Sequence, residues 1–136
     1  MQITRQADYA VRAVLYLSQL GSDQRAATSQ IAQEQAIPPS FLAKIVSQLS
    51  VAGLLQTSRG ARGGVSLAKP PDEISFLEVV EAIDGPILIN ECVSEGSPCT
   101  FSEHCELRPI FCEAQAELIT RLDNTNFGNV LKSNGK

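Results

Sequence analysis

The 136-residue sequence contains one histidine, one methionine and no tryptophan, and it holds neither a nucleophile motif nor a phosphate-binding loop. A single imidazole leaves little from which to assemble a catalytic site, so an enzyme is the least favoured class. Long apolar runs are also missing. The most hydrophobic stretch, Ala7 to Leu20, is interrupted by Asp8, Arg12 and Gln19, which makes it too short and too charged to span a bilayer. The opening Met1-Gln2-Ile3-Thr4-Arg5 is followed by no apolar h-region or cleavage site, so the expectation is a cytoplasmic protein with no membrane partner. There is no internal repeat and no low-complexity tract. With 43% hydrophobic and 19% charged residues the chain can still bury a core, enough for one domain or one small domain with an appendage. Disorder is expected only in the tail, residues 132–136.

The whole chain is acidic, with 11 Lys and Arg against 15 Asp and Glu and a net charge of -4, a balance that by itself argues against a nucleic-acid partner. The charges are unevenly placed. Residues 1–70 carry seven basic groups (Arg5, Arg12, Arg25, Lys44, Arg59, Arg62, Lys69) against three acidic ones, a net +4, whereas residues 71–136 carry four against twelve, a net -8. This partition predicts a basic working surface over residues 1–70 joined to an acidic module over residues 71–136.

Ala10, Val14 and Leu17 recur at helical spacing and predict a first helix over residues 4–20, stopped by Gly21. Thr28 is placed to cap a short second helix with Ile31 and Ala32 inward, ending before Ile37-Pro38-Pro39 because a residue preceding proline is pushed out of helical geometry. The prolines open a third helix in which Phe41, Leu42, Ile45, Val46 and Leu49 form one apolar stripe, with Ser40, Lys44, Ser47 and Gln48 on the other side and Gly53 as terminator. Two extended runs follow, residues 54–58 and 65–68, joined by Arg59-Gly60-Ala61-Arg62-Gly63-Gly64. Ser75 and Glu78 then form a capping box, with Ile74 and Val79 as its hydrophobic staple, for a fourth helix over residues 76–83. Residues 87–106 show no period. Pro109 starts a longer helix with Ile110, Phe111, Ala114, Leu118 and Leu122 along one face; Asn124 and Asn126 break it, and residues 127–131 add a last turn.

Three helices and a two-stranded hairpin are the order of a winged helix-turn-helix, mainly α with a small β-hairpin. Its third helix meets the DNA major groove with its N-terminal residues. Ser40 sits at that N-terminus, where a hydroxyl and free backbone N–H groups suit a phosphate oxygen, and Lys44 and Gln48 lie farther along the exposed face. In the wing, Arg59 and Arg62 reach the minor groove if the backbone comes close to its walls, which Gly60, Gly63 and Gly64 permit. The alternative is a solvated helix face beside an ordinary turn. The charge partition favours DNA, because a dimer would present two +4 faces with the acidic modules turned away.

All four cysteines fall in the acidic half, spaced Cys92-x6-Cys99-x5-Cys105-x6-Cys112. In a reducing compartment, clustered thiols bind metal more often than they form disulfides. Tight zinc knuckles are absent, so the open spacing favours a loop wrapped around a larger cluster, although soft thiolates also take zinc or copper(I), and buried or disulfide-bonded cysteines stay open. Cys112 stands apart. If the last long helix already runs from Cys105, seven residues separate the two by about 10 Å along the axis, whereas thiolates sharing one metal lie within about 4.6 Å. Its neighbours Ile110, Phe111 and Ala114 favour a core or dimer-interface cysteine.

The opening Ile3-Thr4-Arg5-Gln6-Ala7-Asp8-Tyr9-Ala10-Val11-Arg12, the Ile37-Pro38-Pro39-Ser40-Phe41-Leu42 entrance to the third helix, the Ser58-Arg59-Gly60-Ala61-Arg62-Gly63-Gly64 wing and the late cysteines together resemble the Rrf2 family of bacterial regulators, whose iron-sulfur members include IscR, NsrR and RirA. The resemblance spans about residues 2–130. It implies a homodimeric winged-helix transcriptional regulator, a repressor acting on a palindromic operator in double-stranded DNA. The DNA-binding domain would cover residues 1–70, and a cysteine loop with a long C-terminal dimerisation helix would occupy residues 71–136. By matching positions, Ser40, Lys44 and Arg59 would touch DNA, and Cys92, Cys99 and Cys105 would hold an iron-sulfur cluster of the 2Fe-2S type. Two residues depart from the pattern. Val65 replaces an aromatic residue common after the glycine pair, and Arg108 stands where IscR-like members have a histidine ligand. The fourth ligand then falls to Asp8 from the partner subunit, as in the NsrR-like pattern, or to His104.

The leading expectation is a regulator whose DNA affinity follows iron, redox state or nitric oxide through the cluster. A second is a cluster-free member of the same family that senses through thiol chemistry or a partner protein. A small iron-sulfur electron carrier is the third, and it leaves the basic wing without a purpose.

Overall fold

The computed structural model describes residues 3–21, 24–60, 63–89 and 106–134. The first helix, α1 (Arg5–Leu20), is capped by Thr4, whose hydroxyl accepts from the Ala7 amide at 3.1 Å. Its buried face is built from Ala7, Ala10, Ala13, Val14, Leu17 and Ser18. Three alanines on that face leave little side chain between the axes, so neighbouring helices approach α1 closely and it becomes the centre of the packing. Ser18 is buried without penalty because its hydroxyl donates to the Val14 carbonyl at 2.7 Å.

The second helix, α2 (Thr28–Gln35), starts at Thr28 rather than being capped by it; Ala27 occupies the cap and supplies no side-chain bond. It ends at Ala36, which takes a left-handed conformation at φ 53 and turns the chain toward the two prolines. Pro39 opens α3 (Pro39–Val51), where its missing N–H costs nothing. Leu42, Ile45, Val46 and Leu49 are buried as their spacing predicts. Phe41 is not: it is 43% exposed, on the flank of the helix, where its ring stacks on Tyr9 of α1 with centroids 6.3 Å apart.

Strands β1 (Leu55–Ser58) and β2 (Gly64–Leu67) pair antiparallel, Leu55 opposite Leu67 and Ser58 opposite Gly64. A third extended segment adds to β2 through the Ala26–Val65 bridge. A single 3-10 turn, Pro71–Glu73, leads into α4 (Phe76–Asp84), which begins with the expected capping box: Glu78 N–H donates to Ser75 Oγ at 3.0 Å, and Ser75 N–H donates to Glu78 Oε1 at 3.1 Å. The staple residues Ile74 and Val79 are both fully buried. The last two helices are α5 (Arg108–Asp123) and α6 (Phe127–Asn134).

The main core joins Ala10, Val14 and Leu17 to Ile31, Ile45, Leu49, Leu54, Val65, Ile74, Val79 and Phe127. The change of charge near residue 70 is therefore not a packing boundary, since Ile74, Val79 and Phe127 complete the core of the helix-turn-helix. Phe127 is held by a stack on Phe76, at 6.2 Å, and by its amide on the Ile74 carbonyl at 3.2 Å. A second, smaller cluster of Ala7, Leu77, Val80 and Ile87 receives Leu118, Ile119 and Leu122 from α5. No residue of α5 is buried, and Leu107 and Ile110 are 57% and 60% exposed. Among the described residues no helix is long and apolar enough to cross a membrane.

Candidate nucleic-acid interface and cysteine loop

With Leu42, Ile45, Val46 and Leu49 turned inward, α3 presents Ser40, Lys44 and Ser47 outward at the i, i+4 and i+7 positions of one stripe, all exposed. The stripe runs on to Val51, which is 87% exposed. Gln48 lies on the flank instead. It is half-buried, and its side-chain oxygen is shielded from solvent without a hydrogen-bond partner. The sequence pattern names Gln48 as a contact, whereas the stripe places Ser47 at the centre of the exposed face; the signal was available in the seven-residue spacing from Ser40.

The wing follows directly. Leu54 N–H donates to the Leu49 carbonyl at 2.9 Å, which fixes the hairpin against the end of α3. Arg59 and Gly60 are exposed at its tip, and Gly60 has φ 99. Arg62 lies outside the described residues. The glycine pair has a reason internal to the protein: a Cβ on Gly63 would lie 2.3 Å from the Ser58 carbonyl oxygen, and one on Gly64 would lie 2.8 Å from that of Ala26. At the root of the wing, Lys69 donates to Glu78 Oε2 at 3.1 Å, tying β2 to the start of α4. Burial works to raise the Glu78 carboxyl, but the Ser75 amide, the Lys69 ammonium and the Ser75 hydroxyl outweigh it and hold that group below its ordinary value.

Cys92, Cys99, Cys105 and His104 lie outside the described residues. The described residues on either side of that segment both lie at α5: Ile89 N–H donates to Gln115 Oε1 at 2.9 Å, and Glu106 and Leu107 lead into α5 at Arg108. Arg108 and Gln115 are seven residues apart, roughly 10 Å along the helix. Cys112 is a free, exposed thiol on that helix, which removes the reading of a core cysteine within one chain. Asp8 is partly exposed in the first turns of α1, and one of its oxygens accepts from Arg12 Nε at 3.0 Å.

Comparison with known proteins finds this helix-turn-helix and wing in a family of transcriptional regulators. Residues 3–133 match the Rrf2 family model, described as an iron-dependent transcriptional regulator. The fold is shared with CymR of B. subtilis, titled its global cysteine regulator (24% identity, 98% of each chain covered, TM-score 0.81), and with IscR of T. potens (20% identity, 98% of this chain and 88% of that one, TM-score 0.78). It is shared too with the oxidized form of Staphylococcus aureus CymR (24% identity, 93% of each chain, TM-score 0.75). With its recognition helix, wing and cysteine segment falling inside that match, the chain belongs to the Rrf2 family of DNA-binding transcriptional regulators and is not an enzyme.

Proposed function

We propose that the protein is a homodimeric repressor whose DNA binding is switched by an iron-sulfur cluster, of the 2Fe-2S type, in the loop of residues 90–105. The observation that carries the DNA part is the exposed Ser40, Lys44 and Ser47 stripe beside the Arg59 and Gly60 tip. Ser40 and Lys44 meet phosphates and base edges of one major groove, and Arg59 and Arg62 enter the adjacent minor groove. The face of α5 left bare by its own chain is covered by a second copy, so that two recognition helices address a palindromic operator. Residues 1–70 then act as the reader and residues 71–136 as sensor and dimer contact.

The donor set fits the cluster. Cys92, Cys99 and Cys105 offer three soft thiolates at an open spacing rather than that of a zinc knuckle, in the stretch of sequence between Ile89, held by Gln115 of α5, and the start of α5 itself. The fourth ligand is Asp8 of the partner subunit, with His104 the other candidate. When bound, the cluster supplies an iron open to exchange, oxidation or nitric oxide. Anaerobic purification with absorption spectroscopy and iron and sulfide counts tests its presence. A salt-controlled DNA titration of loaded protein, apo protein and Cys92→Ala tests the switch, and equal affinities in all three refute it.

A second reading is a cluster-free regulator sensing through thiol chemistry. The exposed Cys112 thiol and the fold shared with CymR, solved in an oxidized form, favour it. Protein free of iron and sulfide after anaerobic purification, with DNA affinity that responds to thiol oxidants, is the outcome it requires.

A further inference from the structure

We propose that Asp84 is a positioning residue that couples the state of the cysteine loop to the recognition helix by latching the first turn of α1. The proposal rests on the switch reading given above.

Asp84 is the last residue of α4, six residues before the loop begins, and both of its oxygens are engaged by one residue of α1's entrance. Oδ2 accepts from Thr4 N–H at 3.2 Å, and Oδ1 accepts from the Thr4 hydroxyl. Thr4 is at the same time the cap of α1: its Oγ1 accepts from Ala7 N–H at 3.1 Å, and its carbonyl accepts from Asp8 N–H at 3.0 Å. A displacement of Asp84 therefore acts on the two bonds that start α1 and on the orientation of Asp8.

The segment after Asp84 is attached on both sides. Ile87 is buried with Ala7 of α1 in the smaller cluster, and Ile89 is held by Gln115 of α5. Beside the latch lies a cleft of about 240 Å³ bounded by Ile3, Thr4, Val80, Asp84 and residues 85–88, which gives the loop root space to shift without disturbing the main core. From its first turn α1 passes the shift to α3 through the shared core and the Tyr9–Phe41 ring contact, and Phe41 adjoins Ser40. A sensor event that shifts residues 85–89 thus alters the set of the recognition helix through Asp84.

Asp84→Asn tests this with little change of shape: the amide oxygen can keep the Thr4 N–H, but the NH2 then faces the Thr4 hydroxyl as a donor, so the hydroxyl proton loses its acceptor and both contacts lose the carboxylate charge. The readout is the ratio of specific DNA affinities in the loaded and apo states, not affinity or stability alone. A wild-type coupling of about 5- to 150-fold is the usual range for linked sites, and the variant is expected to fall to a ratio of about 2 or less while both states still bind DNA. Thr4→Val removes the hydroxyl from the other side and gives the same loss, serving where Asp84→Asn fails to fold, and Thr4→Ser keeps the wild-type ratio. Retention of the full ratio in Asp84→Asn or Thr4→Val overturns the latch while leaving the switch intact. A wild-type ratio of one overturns the switch, and the latch with it.

Discussion

Replacing Gly64 by alanine sets a backbone clash against a folded wing. The residue has φ 146, a conformation alanine adopts at a cost of roughly 1–3 kcal/mol. Its new Cβ would also lie 2.8 Å from the Ala26 carbonyl oxygen and 3.1 Å from the carbon. That carbonyl cannot retreat freely, since it accepts from Val65 N–H at 2.8 Å while Ala26 N–H donates to Val65 at 3.0 Å. Overpacking of this kind adds about 1–3 kcal/mol, so the loss is roughly 2–6 kcal/mol out of a typical 5–15. Gly60 is the control. It also has a positive φ, 99, but no heavy atom lies within 4 Å of an added Cβ, so Gly60→Ala bears the backbone strain alone, about 1 kcal/mol. Urea unfolding followed by circular dichroism measures both, with an unchanged slope showing that the midpoint shift is a stability change. Equal destabilisation of the two variants, within about 0.5 kcal/mol, would show that the wing is not pinned on the 24–27 segment and would refute the reasoning.

Four further outcomes follow from the structure. Lys44→Ala and Arg59→Ala each weaken DNA binding and lower the slope of log K against log salt by about 0.9 if each meets one phosphate, whereas Lys132→Ala on α6 leaves the slope unchanged. The Lys69–Glu78 pair is more than a third exposed on both sides, so a double-mutant cycle reads a coupling below about 1 kcal/mol. Because the folded Glu78 carboxyl sits below its ordinary value of 4.5, its contribution is complete above that value and is lost as pH falls through the lower folded one, so the stability gap between wild type and Glu78→Gln closes on acidification. Phe127→Ala costs about 3–5 kcal/mol in the same urea assay, as for any buried large aromatic, even though it lies far beyond the change of charge near residue 70.

Local signals in the chain are accurate where one bond or one steric rule decides the matter. The Ser75 and Glu78 capping box, the helix opened by Pro39 and the burial of Leu42, Ile45, Val46 and Leu49 are of this kind. Phe41 shows where such rules stop. It lies on the edge of an apolar stripe, and whether an edge residue is buried depends on what stands beside the helix; here that neighbour is Tyr9, whose ring stacks on Phe41 yet leaves it exposed. The Ala26–Val65 bridge is invisible for another reason, since residues 24–27 have no alternating pattern and pair with a strand some forty positions away. Gln48 and Ser47 differ by one helical step of 100°, enough to move a side chain from the flank to the outward stripe, so the candidate DNA face was legible to within one residue.

The last long helix poses a different limit on reading from pattern. Ile110, Phe111, Ala114, Leu118 and Leu122 do share an apolar face, but spacing says only that a face will be covered, not by which chain. In the fold Leu118 and Leu122 turn to the smaller core, while Ile110 and Leu107 stay open and no residue of α5 is buried. A helix of 16 residues draws most of its stability from packing of an apolar face, and α5 obtains little of that from its own chain. The covering by a second copy proposed above supplies the missing surface. On that proposal the partner's α1, with Asp8 at its start, would join the same assembly as the cysteine segment that precedes α5, so that forming the dimer and completing the sensor would be one event.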